Sequence, residues 1–143
     1  MSVTSSDRSL FELTLLYAED DKSIQEMMKK ILQRRFCKVL CANDGEGGFD
    51  LFQKENIDIV ITDMSMPKVS GLELCAKIRE IDEEIPIMMI TAFNESDYLI
   101  EALQLGVDRF LFKPINTTTL DKHLKILVKR AILSKKNLTQ GVS

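Results

Sequence analysis

The chain has 143 residues, 45% of them hydrophobic and 29% charged, which fits one globular domain with a real core and leaves little room for a second. A formal net charge of −3 at pH 7 offers no global attraction to nucleic acid or an anionic membrane, so neither is an expected partner. The chain has no apolar run of about 18 residues, and "MSVTSSDRSLFEL" lacks the basic patch and apolar core of a secretory signal, so a cytoplasmic location is expected. Cys37, Cys41 and Cys75 are odd in number and form no C-x-x-C pair. They read as reduced, core-filling side chains rather than as a disulfide framework or a zinc site.

Leu13 to Ala18 reads as the first strand. Ile24, Met27, Met28, Ile31 and Leu32 then recur at helical spacing on one face of a first helix. Asp21 is either the cap of that helix or part of an acidic cluster with Glu19 and Asp20. Phe36 to Ala42 is the second strand, and Gly45 to Lys54 a second helix with Phe49 and Phe52 inward. Ile57 to Thr62 is the third strand. Leu72, Cys75, Ile78 and Ile81 mark a third helix, which ends before Pro86 because proline disfavours helix in the residue ahead of it. "IPIMMITA" is a fourth strand, apolar on both faces. Asn94 or Ser96 caps a fourth helix carrying Leu99, Ala102 and Leu103, and Gly106 stops it. "DRFLFKP" is the fifth strand, and Leu120, Leu124, Leu127 and Val128 give the fifth helix its buried stripe. Met27, Met28, Met88 and Met89 are core fillers by spacing, while His123 reads as a surface or partly buried structural residue. Lys135 and Lys136 sit at a basic helix end that complements the helix dipole, and "SKKNLTQGVS" reads as a fraying end or the start of a linker.

Five strand-helix units with nearly continuous apolar strands predict a doubly wound α/β domain, its parallel sheet covered on both faces. Ligands of such sheets bind beyond the carboxyl ends of the strands. Those ends carry Glu19-Asp20-Asp21, Asp63, Thr91-Ala92 and Lys113-Pro114. An isolated Asp at a strand end is more often a turn or cap residue, but here it has company that changes the reading. Crowded carboxylates repel unless a cation compensates, and a hard dication such as Mg2+ takes oxygen ligands. Asp20 and Asp63 are the natural ligands, with Glu19 in contact directly or through water, and the turn after Asp63 adds a backbone carbonyl from Ser65. Thr91 and Lys113 suit phosphoryl oxygens, which points to phosphoryl transfer with Asp63 as the accepting nucleophile. Met64 and Met66 flank the acid and shield it.

The segments "LLYAEDD", "DIVITDMSMPKVSGLEL", "IPIMMITA" and "GVDRFLFKP" stand in the order and spacing of a two-component response regulator receiver domain, which the chain resembles over roughly residues 13–133. The resemblance implies a flavodoxin-like, five-stranded sheet of order 2-1-3-4-5. It implies Asp63 as phosphoacceptor, Glu19 and Asp20 as the acidic metal pair, Thr91 as switch hydroxyl and Lys113 as the phosphate-contacting lysine, with a cis peptide before Pro114. Phe110 stands where the family has a switch aromatic, coupling the site to the face made by the fourth helix, fifth strand and fifth helix; lacking a hydroxyl, it is expected to favour the inward position. Implied partners are a histidine kinase or phosphotransfer protein as donor and an effector or output domain on that face, with room for homodimer formation on phosphorylation. His123 is a poor phosphoryl donor in its setting.

Ser65 and Phe93 occupy positions that govern water attack in the family, and neither aligns water well, so slow self-dephosphorylation is expected. A haloacid-dehalogenase-type phosphatase is the main alternative, disfavoured because Ser65 stands where its second acid is needed. A flavin carrier lacks its phosphate loop here, and the full acid, threonine and lysine set argues against a degenerate receiver. The expected layout is an extension over 1–12, the receiver over 13–133 and a polar tail or linker start over 134–143. The chain is read as a switch rather than an enzyme, either standing alone or cut from a longer regulator.

Overall fold

The computed structural model describes residues 10–92 and 97–140, with side chains described through Lys135. Within them, strands β1 (Phe11–Ala18), β2 (Phe36–Ala42), β3 (Ile59–Asp63), β4 (Ile87–Thr91) and β5 (Arg109–Phe112) alternate with helices. The helices are α1 (Lys22–Gln33), α2 (Gly45–Lys54), α3 (Gly71–Ile81), α4 (Leu99–Gln104) and α5 (Thr117–Gln140). The strands form one parallel sheet in the order β2-β1-β3-β4-β5, the doubly wound arrangement expected from the sequence.

Strand alternation divides the core into two layers. Leu15 and Tyr17 of β1, Ile59 and Ile61 of β3, and Met88 and Ile90 of β4 pack with Met28 and Leu32 of α1 and Leu120, Leu124 and Leu127 of α5. Leu16, Val60, Ile87 and Met89 point the other way, toward Leu74, Cys75 and Ile78 of α3 and Ala102 of α4. Two-sided burial explains why β3 and β4 read as unbroken apolar runs: every residue of both is buried.

Local chemistry sets the helix ends. Asp21 caps α1, its side chain accepting from the Ile24 amide, and Ser70 with Glu73 forms a capping box on α3. Gly106 ends α4 with φ 77°, the left-handed conformation that glycine adopts without steric cost. The six residues of α4 are too few for a stable isolated helix, and Arg79 of α3 secures its end by donating to the Leu105 and Gly106 carbonyls at 2.7 and 2.8 Å. Two carboxylates just ahead of strands tie the sheet to α5. Asp108 accepts from the Ile87 amide at 2.8 Å and pairs with Arg130 at 3.0 Å. Asp58 accepts from the Thr14 amide at 2.8 Å and pairs with Lys135 at 3.4 Å.

Several details differ from the sequence reading. Met27 is exposed although it shares the helical spacing of its neighbours, because α1 buries a stripe centred on Met28 and Leu32 and Met27 lies at its margin. Ile81 and Leu103 are likewise exposed at the ends of short helices, beyond the reach of the sheet. Cys75 is buried and its thiol pushed up to about 12 by burial, but Cys37 on edge strand β2 is exposed and fills no core. Strand β1 begins at Phe11, while β3 begins at Ile59 rather than Ile57. Helix α5 continues through Gln140 into the stretch read as a tail, so Lys135 falls short of its last turn and binds Asp58 instead of the helix dipole. The cap choices Asn94 and Ser96 lie outside the described residues. No helix among the described residues is long and apolar enough to cross a membrane.

Candidate functional site

Sheet register brings the strand-end residues together. Ala18 pairs with Thr62, which sets Glu19 beside Asp63; Asp63 pairs with Ile90, which sets Thr91 one residue beyond; Thr91 pairs with Phe112, which carries Lys113 to the same rim. Glu19, Asp20 and Asp63 each present a carboxylate oxygen within 4.8 Å of the others. Glu19 and Asp63 are buried, whereas Asp20 faces solvent. Lys113 Nζ lies 2.9 Å from Asp63 Oδ1. The peptide between Lys113 and Pro114 is cis.

The loop connecting β1 to α1 is fastened from three sides. Glu19 Oε2 accepts from the Asp21 amide at 3.1 Å, and Oε1 accepts from the Tyr17 hydroxyl at 3.3 Å. The buried Gln25 amide donates to the backbone carbonyls of Glu19 at 2.9 Å and Ala42 at 3.0 Å, and to Asn43 Oδ1 at 3.0 Å. Burial raises the Glu19 pKa above the usual carboxylate range; the Asp21 amide opposes this, the Asp63 charge adds to it, Lys113 opposes and Asp20 adds. A cation in the cleft would relieve that stress. An all-oxygen, closely spaced, mostly buried donor set fits Mg2+, which accepts carboxylates and retains waters.

On the far side of Asp63, Gly71 allows α3 to begin directly beneath the acid. A Cβ there would stand 2.1 Å from the Asp63 carbonyl oxygen, and the Gly71 amide donates to Met64 O at 2.9 Å. Met64 is buried, and its sulfur accepts from the Thr91 hydroxyl at 3.6 Å, a contact that hydroxyl shares with the Ala92 carbonyl at 3.1 Å. Met66 is half-buried, and with Met64, Ser65, Ser70, Leu72 and Tyr98 it lines a cavity of about 240 Å³ beside the acid. Ser65 is exposed in the same loop. Phe110 is half-buried against the layer containing Met89 and Ala102. Phe93 lies outside the described residues.

Sequence reasoning passed over Tyr17, Gln25 and the Met64 contact with Thr91. Tyr17 left a signal: residues two apart on a strand share a side, so its hydroxyl points the way of Glu19. Gln25 left none, since a glutamine within a helix ordinarily reads as solvated.

The sequence profile of the response regulator receiver domain matches residues 15–125, and the chain belongs to that family. It is 31% identical over 117 residues to the transcriptional regulatory protein AfsQ1 of Streptomyces coelicolor, covering 82% of this chain and 52% of that protein. The chain thus spans about half the length of the curated relatives it matches. Among solved structures, the N-terminal domain of a Wolinella succinogenes protein is 37% identical with a TM-score of 0.79, covering 86% of this chain and 98% of that one. Response regulator TrrA of Thermotoga maritima, solved with Mg2+ and beryllium fluoride, is 30% identical with a TM-score of 0.72, covering 80% of this chain and 98% of that one. The haloacid-dehalogenase alternative finds no support.

Proposed function

We propose that Asp63 is the phosphoacceptor of a signalling switch, receiving a phosphoryl group from a histidine kinase or phosphotransfer protein. The carrying observation is the convergence of Glu19, Asp20 and Asp63 within 4.8 Å with Lys113 2.9 Å from the central acid. Asp20, Asp63 and the Ser65 carbonyl would hold Mg2+, with Glu19 bound directly or through water. When bound, the dication neutralises charge on the phosphoryl oxygens. The Asp63 carboxylate oxygen attacks phosphorus in line as the bond to the donor imidazole nitrogen breaks. Lys113 then passes from Asp63 to a phosphoryl oxygen. Thr91 turns its hydroxyl toward the same group, giving up acceptors that include a thioether, a weak one.

Phe110 would follow Thr91 and couple the site to the α4-β5-α5 face. Ile100 and Leu103 on α4, Tyr98 just ahead of it and Phe112 on β5 expose apolar surface, which suits an effector, an output domain or a second copy after phosphorylation. The domain is read as cytoplasmic and regulatory, catalysing its own phosphorylation and a slow dephosphorylation. Residues 13–133 are assigned as the receiver unit, 1–12 as an extension and 134–143 as a tail or linker start.

Acetyl phosphate with Mg2+ should label the wild-type protein at one acid-labile site, read by intact mass. Asp63→Asn should abolish the label; a label that persists sinks the assignment.

A further inference from the structure

The buried phenol of Tyr17 has a task that packing does not require. Its ring lies fully buried among Met28, Leu120 and Leu124, where a phenylalanine would serve equally well. A buried hydroxyl needs an acceptor, and this one meets Glu19 Oε1 at 3.3 Å. Glutamate has one more rotatable bond than aspartate, so a glutamate at this rim needs more to hold it. Donors on both oxygens, Tyr17 on one and the Asp21 amide on the other, fix the plane of the carboxylate. Each oxygen keeps a free lone-pair direction, and the Asp20 and Asp63 oxygens lie within 4.8 Å. Gln25 does not duplicate this role, since its side-chain amide binds the Glu19 backbone carbonyl and not the carboxylate.

We propose that Tyr17 is a positioning residue whose hydroxyl orients the Glu19 carboxylate toward the cation site and thereby sets the Mg2+ requirement of Asp63 phosphorylation. The inference rests on the acidic cleft being the magnesium site of the proposed phosphoryl transfer. Partners that orient the groups around a metal typically change its affinity by about 10- to 100-fold when removed. Tyr17 acts on metal occupancy, so its loss shows in the Mg2+ concentration needed and not in the rate once the site is filled.

The test is Tyr17→Phe, which keeps the ring and deletes the hydroxyl, assayed by the rate of acetyl phosphate labelling against Mg2+ concentration. The half-saturating Mg2+ concentration should rise about tenfold, with the maximal rate within about twofold of wild type. In a Glu19→Asp background the shorter side chain cannot reach the phenol, so adding Tyr17→Phe there should change nothing. An unchanged Mg2+ requirement in Tyr17→Phe overturns the proposal, as does an equal rise in the Glu19→Asp background. Loss of the metal-free fold in Tyr17→Phe, seen by circular dichroism, would make the hydroxyl a structural group and overturn it too. Failure of the underlying site reading shows separately, as wild-type protein that is not labelled in a Mg2+-dependent way.

Discussion

Asp63 and Lys113 meet at 2.9 Å because two strand ends arrive at the same level, and both residues were legible as strand-end chemistry. Their partners were legible for the same reason: an apolar run that stops at a charged or hydroxylated residue on the ligand-binding rim is conspicuous. Tyr17 and Gln25 hid inside patterns that have ordinary explanations. His123 shows how the environment alters a residue whose role the sequence described only coarsely. Its Nδ1 accepts from Arg109 Nε at 3.0 Å, which requires a neutral imidazole. Burial and then the Arg109 charge lower its pKa below the usual histidine value. The unfolded chain therefore binds this proton more readily than the fold does, so the contribution is present above the unfolded pKa, about 6.5, and lost as pH falls toward the lowered folded value. Between pH 7 and pH 5.5 the urea midpoint of the wild type should fall relative to that of His123→Gln, which lacks this titration.

Helix α3 shows what a single element contributes to the site. Its start is determined twice, by the Ser70 and Glu73 capping box and by Gly71, whose missing side chain lets the helix sit against the Asp63 carbonyl. The apolar spacing from Leu72 onward marks the helix in the sequence, whereas the clash that requires glycine at position 71 involves a residue eight positions back and exists only once β3 and α3 have packed. Gly71→Ala would force backbone apart, and overpacking at a site that cannot yield costs about 3 kcal/mol. Urea denaturation should register that loss, and labelling should slow because Asp63 moves with the displaced loop. The exposed positions of Met27, Ile81 and Leu103 carry the converse lesson. Helical spacing identifies candidate faces, but the width of the buried stripe depends on how closely the neighbouring sheet approaches.

For the molecule as a whole, the acidic cleft is a place where folding stores repulsion that ligand binding releases. Glu19 and Asp63 are buried with Asp20 beside them, and burial first, with the neighbouring Asp63 and Asp20 charges adding to it, raises the Glu19 pKa. A ligand that binds only the folded chain stabilises it by about 2.7 kcal/mol at one hundred times its dissociation constant. Mg2+ at saturating concentration should therefore raise the thermal midpoint and EDTA should reverse the rise. Asp20→Asn should abolish the response while leaving the metal-free midpoint unchanged or higher, since it removes one of the repelling charges. Equal midpoints with Mg2+ and with EDTA in the wild type would contradict a cation site in this cleft.

Local pattern alone determined the alternation of strands and helices, the two-sided burial of β3 and β4 and the rim on which the acids, threonine and lysine lie. These properties depend on residues near one another in the chain, on its period and on the residue types that end each run. Tertiary structure decided which methionines and cysteines became core, how far α5 extends over Asp58 and Asp108, and which groups hold Glu19 in place. Those outcomes depend on distances between segments brought together by folding, and a hydrogen bond or a steric contact forms or fails within a fraction of an ångström that no spacing in the sequence specifies.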